Sequence, residues 1–158
     1  MTTSLDLGGA SLSSFIDGCP QARALGMELI SLEKANAVLK ANYREDLIGD
    51  PDTGVIAGGV VTTLLDHACG QSVFAALGAP TSIATLDLRI DYMRGAEPGV
   101  AIYAHAHCYK LTHSVAFVRA TAYDRDPSDP VATAQAAFML SANGTMPPLA
   151  GRPTEPGQ

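Results

Sequence analysis

The most regular pattern in the chain is the spacing of apolar residues between Gly58 and Gly78. The turn-forming segment DPDTG precedes this stretch, and Gly78 and Pro80 are typical of a helix end. Because few polar residues interrupt it, we expect other elements to wrap the helix. Asp66 lies inside it, where a charge is unfavourable unless it is paired or used. The apolar positions follow the three- and four-residue intervals of one long α-helix: Val60, Val61, Leu64, Leu65, Ala68, Cys69, Val73, Phe74 and Leu77.

Other segments show the period-two pattern or the composition of β-strands. The predicted strands are residues 27–33, 36–43, 85–93, 100–111, 114–124 and 131–140. Short turns separate the first from the second and the fourth from the fifth, so each pair forms a hairpin, and residues 44–57 form a loop before the helix. In the third strand, Leu86, Leu88, Ile90 and Tyr92 make an apolar face, which assigns Thr85 to the polar face. This order predicts an α+β fold in which an antiparallel sheet covers one long helix.

The length of 158 residues suits one domain with its own core. We predict a polar arm and a short helix capped by Ser11 in residues 1–19, the folded domain in residues 20–142, and a disordered tail rich in Pro and Gly in residues 143–158. Apolar residues make up 47% of the chain and charged residues only 16%. We therefore expect apolar surface to be hidden in an oligomer.

Charge and cysteine content narrow the possible environments. The net charge of −6 argues against a nucleic-acid binder, because the chain has no basic stripe to neutralise phosphates. Three cysteines without CxxC spacing favour reduced thiols and a cytoplasmic protein. No signal peptide is visible, and polar residues interrupt the long helix, so no membrane span is predicted. His105 and His107 share a strand face, but no third ligand is spaced nearby, and no metal site is predicted.

The loop and helix phrase LIGDPDTGVIAGGVVTTLLDHACG is the most specific part of the chain. Together with Leu25-Gly26-Met27 before it and the segments ATLDLRIDYMR and VATA after it, it resembles the hotdog fold. The resemblance is to the PaaI-like acyl-CoA thioesterases related to 4-hydroxybenzoyl-CoA thioesterase, over about residues 20–140. It implies a hydrolase for a small or aromatic acyl-CoA that needs no cofactor and works as a homodimer or a dimer of dimers.

The resemblance also implies roles for particular residues. The backbone N–H of Gly58 would polarise the thioester carbonyl, Asp66 would act as nucleophile or as general base on water, and Thr85 would lie near that acid. The family's Asn and His match Asp50 and Ala57, so the chain lacks an amide donor and an imidazole at the helix entrance.

The residues themselves support a binding site at the helix. A helix N-terminus favours developing negative charge, and Gly58 and Gly59 let a carbonyl approach the backbone. Thr62, Asp66 and Gly70 lie on one line of the helix, where Gly70 leaves room for an acyl chain or ring. We therefore predict that Gly59, Thr62, Gly70 and Asp50 contact substrate.

Eight helical residues separate Gly58 from Asp66, which is about 12 Å. One thioester cannot touch both, so the two residues must come from different subunits of a homodimer with two equivalent sites.

Two other functions stay open. A non-catalytic binder of acyl-CoA or aromatic ligands is suggested by Ala57 and Asp50. An enoyl-CoA hydratase of the same fold would need a His–acid pair, which the helix entrance lacks. His67 follows Asp66 in sequence but lies about 100° around the helix, which favours a core or interface histidine.

Overall fold

A computed structural model describes residues 14–78 and 81–141 of the chain. The predicted Ser11 cap, the polar arm and the tail of residues 143–158 lie outside these ranges. The described elements are α1 (Ser14–Asp17), α2 (Pro20–Ala24), β1 (Met27–Glu33), β2 (Asn36–Ala41), a 3-10 turn (Glu45–Leu47), β3 (Ile48–Asp50), β4 (Val55–Ile56), α3 (Gly58–Leu77), β5 (Ile83–Tyr92), β6 (Ile102–Leu111), β7 (Val115–Tyr123) and β8 (Ala132–Leu140).

Six strands form one antiparallel sheet in the order β1-β2-β6-β7-β8-β5. The pairs β1–β2 and β6–β7 are the two predicted hairpins. The inward positions of β6, β7 and β8 are mostly alanine, which lets the sheet curve closely around α3. These buried alanines are Ala104, Ala106, Ala116, Ala120, Ala122, Ala132, Ala134 and Ala136. The architecture is the hotdog fold, as predicted.

The long helix α3 begins at Gly58 and ends at Leu77, within the predicted stretch. Gly78 closes it in the left-handed region at φ 69°, and its N–H donates to the carbonyl of Phe74. By length and composition alone α3 is able to cross a membrane. Ten of its residues are nevertheless buried, so it fills the place of a core helix.

The strand β5 differs from the predicted alternation at one residue. Thr85 pairs with Phe138 and Asp87 with Ala137, so Leu86 is an extra residue in a β-bulge, and this residue is 55% exposed. Because of the extra residue, the alternation of inward and outward side chains before the bulge is out of phase with the alternation after it. The prediction that Leu86 belongs to the apolar face and Thr85 to the opposite one is therefore wrong, because Thr85 faces α3.

The segment before α3 was predicted as a loop, but it contains a small two-stranded sheet of β3 and β4. Leu47 accepts a hydrogen bond at its carbonyl from the N–H of Ala57 at 2.9 Å, which ties this segment to the helix entrance. Gly49 crosses the same entrance closely, since a Cβ there would lie 2.7 Å from the Cα of Ala57. The predicted strand of residues 36–43 also ends earlier, at Ala41.

Candidate active site

The entrance of α3 exposes a helix N-terminus that no side chain caps. Ala57 occupies the N-cap position without a side-chain hydrogen bond. Gly58 and Gly59 are exposed, and a Cβ on Gly59 would meet nothing within 4 Å. Within the described ranges, no hydrogen bond of the Gly58 or Gly59 N–H groups is found. These groups and the helix dipole are available to an anionic or carbonyl oxygen.

The acid in the middle of α3 has one protein partner. Thr85 donates from Oγ1 to Oδ1 of Asp66 at 3.0 Å. The structure therefore brings the two predicted residues together, and it does so through the bulge that turns Thr85 inward. The second carboxylate oxygen of Asp66 has no hydrogen bond in the described part of the chain, so it is open to water or substrate.

Asp50 holds its own turn. Its carboxylate accepts hydrogen bonds from Oγ1 of Thr53 at 2.7 Å and from the N–H of Asp52 at 3.1 Å. These bonds, the one from Thr53 first, lower the pKa of the Asp50 carboxyl below its usual value. The carboxylate is thus engaged in the turn. These bonds do not test its predicted contact with substrate, which stays a prediction.

A cluster of two hydroxyls at the helix entrance was not predicted. Tyr92, at the end of β5, donates from its hydroxyl to the carbonyl of Gly58 at 2.7 Å. Thr62 donates to the same carbonyl at 3.1 Å, and the two hydroxyl oxygens are 2.7 Å apart. The alternation of β5 identified Tyr92 only as an apolar-face residue, and no local signal linked it to Gly58.

An apolar cavity of about 360 Å³ adjoins Gly58. Such a cavity suits an acyl group rather than a charged ligand. Asp66 is not among the residues around it. The lining residues are Val55, Ile56, Gly58, Val61, Tyr92, Met93, Arg94, Gly95, Ala96 and Val131.

The space beside Gly70 is occupied within the chain. A Cβ on Gly70 would lie 3.7 Å from Cδ1 of Ile83 and 3.8 Å from Cε1 of Phe138. The helix therefore packs on β5 and β8 at this position. The predicted contact of Gly70 with an acyl chain gains no support from these neighbours and stays a prediction.

The one cation that lines the cavity already has a strong partner. Arg94 forms two hydrogen bonds of 2.7 and 2.8 Å with the carboxylate of Asp124, whose side chain is 3% exposed. The guanidinium group holds the pKa of the Asp124 carboxyl far below its usual range. Arg125 is likewise paired with Glu97. Both arginines thus brace the end of the sheet.

His67, which follows Asp66, and His105 on β6 both engage other groups. His67 Nε2 lies 3.8 Å from the Sγ atom of Cys19, and burial lowers the pKa of its imidazole. His105 Nε2 lies 3.1 Å from Oδ1 of Asn36. Over residues 14–78 and 81–141, no group of three or more metal-ligating side chains is found.

Comparison with known proteins assigns the chain to a family. Residues 53–131 match the Thioesterase superfamily. The chain is 30% identical over 139 residues to the medium/long-chain acyl-CoA thioesterase YigI of Salmonella typhimurium, covering 80% of this chain and 88% of YigI. The chain belongs to the Thioesterase superfamily. This membership and the named relative support thioester hydrolase activity.

Solved structures agree with the fold. A crystal structure of a Pseudomonas aeruginosa protein is 38% identical, with a TM-score of 0.75 over 81% of this chain and 95% of that one. The PaaI protein from the phenylacetic acid degradation operon of E. coli is 17% identical, with a TM-score of 0.70 over 84% and 97% of the two chains. At this identity, PaaI supports the fold alone.

Proposed function

We propose that the chain hydrolyses acyl-CoA thioesters at a site that two copies of it build together. The N–H of Gly58 stabilises the oxyanion, and Asp66 of the other copy attacks the carbonyl or activates a water. Thr85 orients the carboxylate by its hydrogen bond to Oδ1. The observation that carries the proposal is that no carboxylate or histidine lines the cavity beside Gly58, since Asp66 lies two turns further along α3.

A two-fold dimer supplies the missing acid. When two α3 helices lie antiparallel, Gly58 of one copy meets Asp66 of the other only if the axis passes near Thr62, which is midway between them in sequence. Two equivalent sites then form, one on each side of the axis.

The edge strand β5 supports the same axis. Its side-chain hydrogen bonds with α3 come from Thr85 and Tyr92, and the residues midway between these are Leu88 and Arg89. They are also near the middle of β5, so an axis at this point pairs the whole strand with its copy. The strand ends the sheet order and carries large exposed side chains at Leu86 and Tyr92, as expected for a surface that a second copy covers.

The acyl group is the second open point. The resemblance predicts a small or aromatic acyl group, whereas the name of YigI suggests a medium or long acyl group as the alternative. Val55, Ile56, Val61 and Met93 give the cavity an apolar lining that accepts an aliphatic or aromatic group.

The test is release of free CoA thiol from short, medium, long and aromatic acyl-CoAs. We expect the wild-type chain to release thiol and Asp66→Asn to lose at least about a hundredfold in kcat. Asp17→Asn, which changes an exposed acid in α1, is the matched control and should retain full activity. Unchanged release by Asp66→Asn contradicts the assignment of the acid.

A non-catalytic binder is the second candidate. It is favoured because Ala57 gives the helix no side-chain cap and because the Asp50 carboxylate is engaged in its own turn. It predicts that acyl-CoA raises the melting temperature without any release of thiol. The hydratase alternative requires hydration of an enoyl-CoA, and the same panel extended by one enoyl-CoA tests it.

A further inference from the structure

The start of α3 is intrinsically weak for an oxyanion site. Ala57 offers no side-chain cap, and the first two helical residues, Gly58 and Gly59, have the largest backbone freedom of any residue. An oxyanion donor must nevertheless be held in place before the reaction, since reorganisation during the reaction would reduce its effect. Some other group has to fix this turn.

We propose that Tyr92, together with Thr62, is the positioning residue that holds the oxyanion turn in place of a capping side chain. This inference rests on the proposed function. Tyr92 Oη lies 2.7 Å from the carbonyl oxygen of Gly58, and its ring packs against the same residue. A Cβ added to Gly58 would lie 3.6 Å from Oη of Tyr92 and 3.7 Å from two carbons of its ring.

The hydrogen bond acts on a peptide group of the oxyanion turn itself. The carbonyl of Gly58 belongs to the same peptide as the N–H of Gly59, so fixing one end of the planar group fixes the direction of the other. A hydrogen bond to the carbonyl also polarises the peptide and strengthens its N–H as a donor. The N–H of Gly58 belongs to the preceding peptide, whose Ala57 carbonyl accepts from the N–H of Val60 at 3.0 Å, so Tyr92 acts directly on the Gly59 N–H and on the Gly58 N–H only through the chain.

The proton count favours a chain of bonds over independent contacts. Tyr92 and Thr62 carry one hydroxyl proton each, whereas three short contacts join these hydroxyls and the Gly58 carbonyl. At any moment two contacts are hydrogen bonds and one hydroxyl oxygen keeps an acceptor site. The two side chains therefore act as a unit, and losing either one weakens the bond that the other makes.

The location of Tyr92 also places it beside the substrate. Its ring lines the cavity with Val61 and Met93, although the residue is 50% exposed in the single chain. Here the hydroxyl is turned into the helix entrance.

The first test compares kcat and KM of Tyr92→Phe with those of the wild type in the thiol-release assay. Removing one neutral hydrogen bond should lower kcat about fivefold, with KM changed less than twofold because the ring remains. Thr62→Val should give a similar loss, and the double variant should lose less than the product of the two losses. Tyr109→Phe, which removes a hydroxyl from the exposed outer face of β6, is the matched control and should keep the wild-type kcat.

A second measurement does not depend on activity. The ¹⁵N order parameters of the Gly58 and Gly59 amides should be near 0.85 in the wild type and fall toward about 0.6 in Tyr92→Phe. Unchanged kcat, or a lower melting temperature with unchanged kcat and order parameters, overturns the inference. If the wild type releases no thiol, the proposed function fails, and the order parameters alone decide whether Tyr92 holds this turn.

Discussion

The requirement for two chains leads to a complementation prediction. One variant, Gly58→Pro, removes the N–H that is proposed to bind the oxyanion. Proline is favourable at the first helical position, and Ala57 before it has ψ 135°, within the range of about 120° to 160° that a residue before proline prefers. The new Cβ fits beside Tyr92, at ordinary contact distances of 3.6 to 3.7 Å. The other variant, Asp66→Asn, removes the acid from the opposite half of the site.

The size of each effect follows from the geometry. Loss of one oxyanion donor lowers kcat about 100- to 1000-fold, so the Gly58→Pro homodimer should be nearly inactive. The Asp66→Asn homodimer should be nearly inactive because it lacks the acid. A heterodimer of the two variants holds one site with Gly58 from one chain and Asp66 from the other, and a second site that lacks both groups. Its kcat should be about half that of the wild-type dimer. Gly58→Ala adds the same Cβ but keeps the N–H, so its comparison with Gly58→Pro isolates the donor.

The assay uses co-expression of the two variants with different affinity tags and purification over both. Thiol release by the doubly tagged species is compared with that of each homodimer at equal protein concentration. Recovery to about half of the wild-type rate supports a shared site. A heterodimer as inactive as its parents would show that Gly58 and Asp66 act within one chain, and the proposed two-fold arrangement would be refuted.

Three further predictions follow from the packing. Of Leu88→Cys and Arg89→Cys, the variant whose cysteine lies on the two-fold axis should form an intermolecular disulfide on a non-reducing gel, because a residue on the axis faces its own copy at a Cα distance of about 4.5–5.5 Å, whereas Thr121→Cys in the central strand β7 should not. Gly49→Ala should lower both the melting temperature and kcat, since its Cβ meets the backbone of Ala57 at 2.7 Å; an unchanged melting temperature would contradict this close packing. Because the pKa of Asp124 is lowered in the folded state, its carboxylate stabilises the fold above the ordinary pKa of about 3.9, and this stabilisation is lost as the pH falls. The melting temperature of the wild type should therefore decrease below about pH 4. Asp124→Asn should be less stable at pH 7 and show a smaller acid-induced fall, and equal falls for both proteins would contradict the role of this pair.

Much of the fold was open to prediction because its signals are local. The helical spacing and the stop at Gly78 identified α3, and the two hairpins followed from short turns between strands. Gly58 and Asp66 stood out for the same reason, since a glycine pair at a helix start and an acid in an apolar helix depend on neighbours a few residues away. The small β3–β4 sheet was missed, although the Asp50 turn between apolar flanks is itself a hairpin signal.

By itself, then, the sequence determined the elements, their order and the two groups proposed for the chemistry, since backbone preferences and the burial of apolar faces act over one or two turns. Only the tertiary structure decided how those groups are supported. Whether Thr85 faces Asp66 depends on the bulge at Leu86, which pairing with β8 sets from about fifty residues away. The bond from Tyr92 to Gly58 spans 34 residues and has no counterpart in any local pattern. Such contacts arise when the sheet closes on the helix, because that packing, and no propensity of single residues, fixes which distant atoms meet.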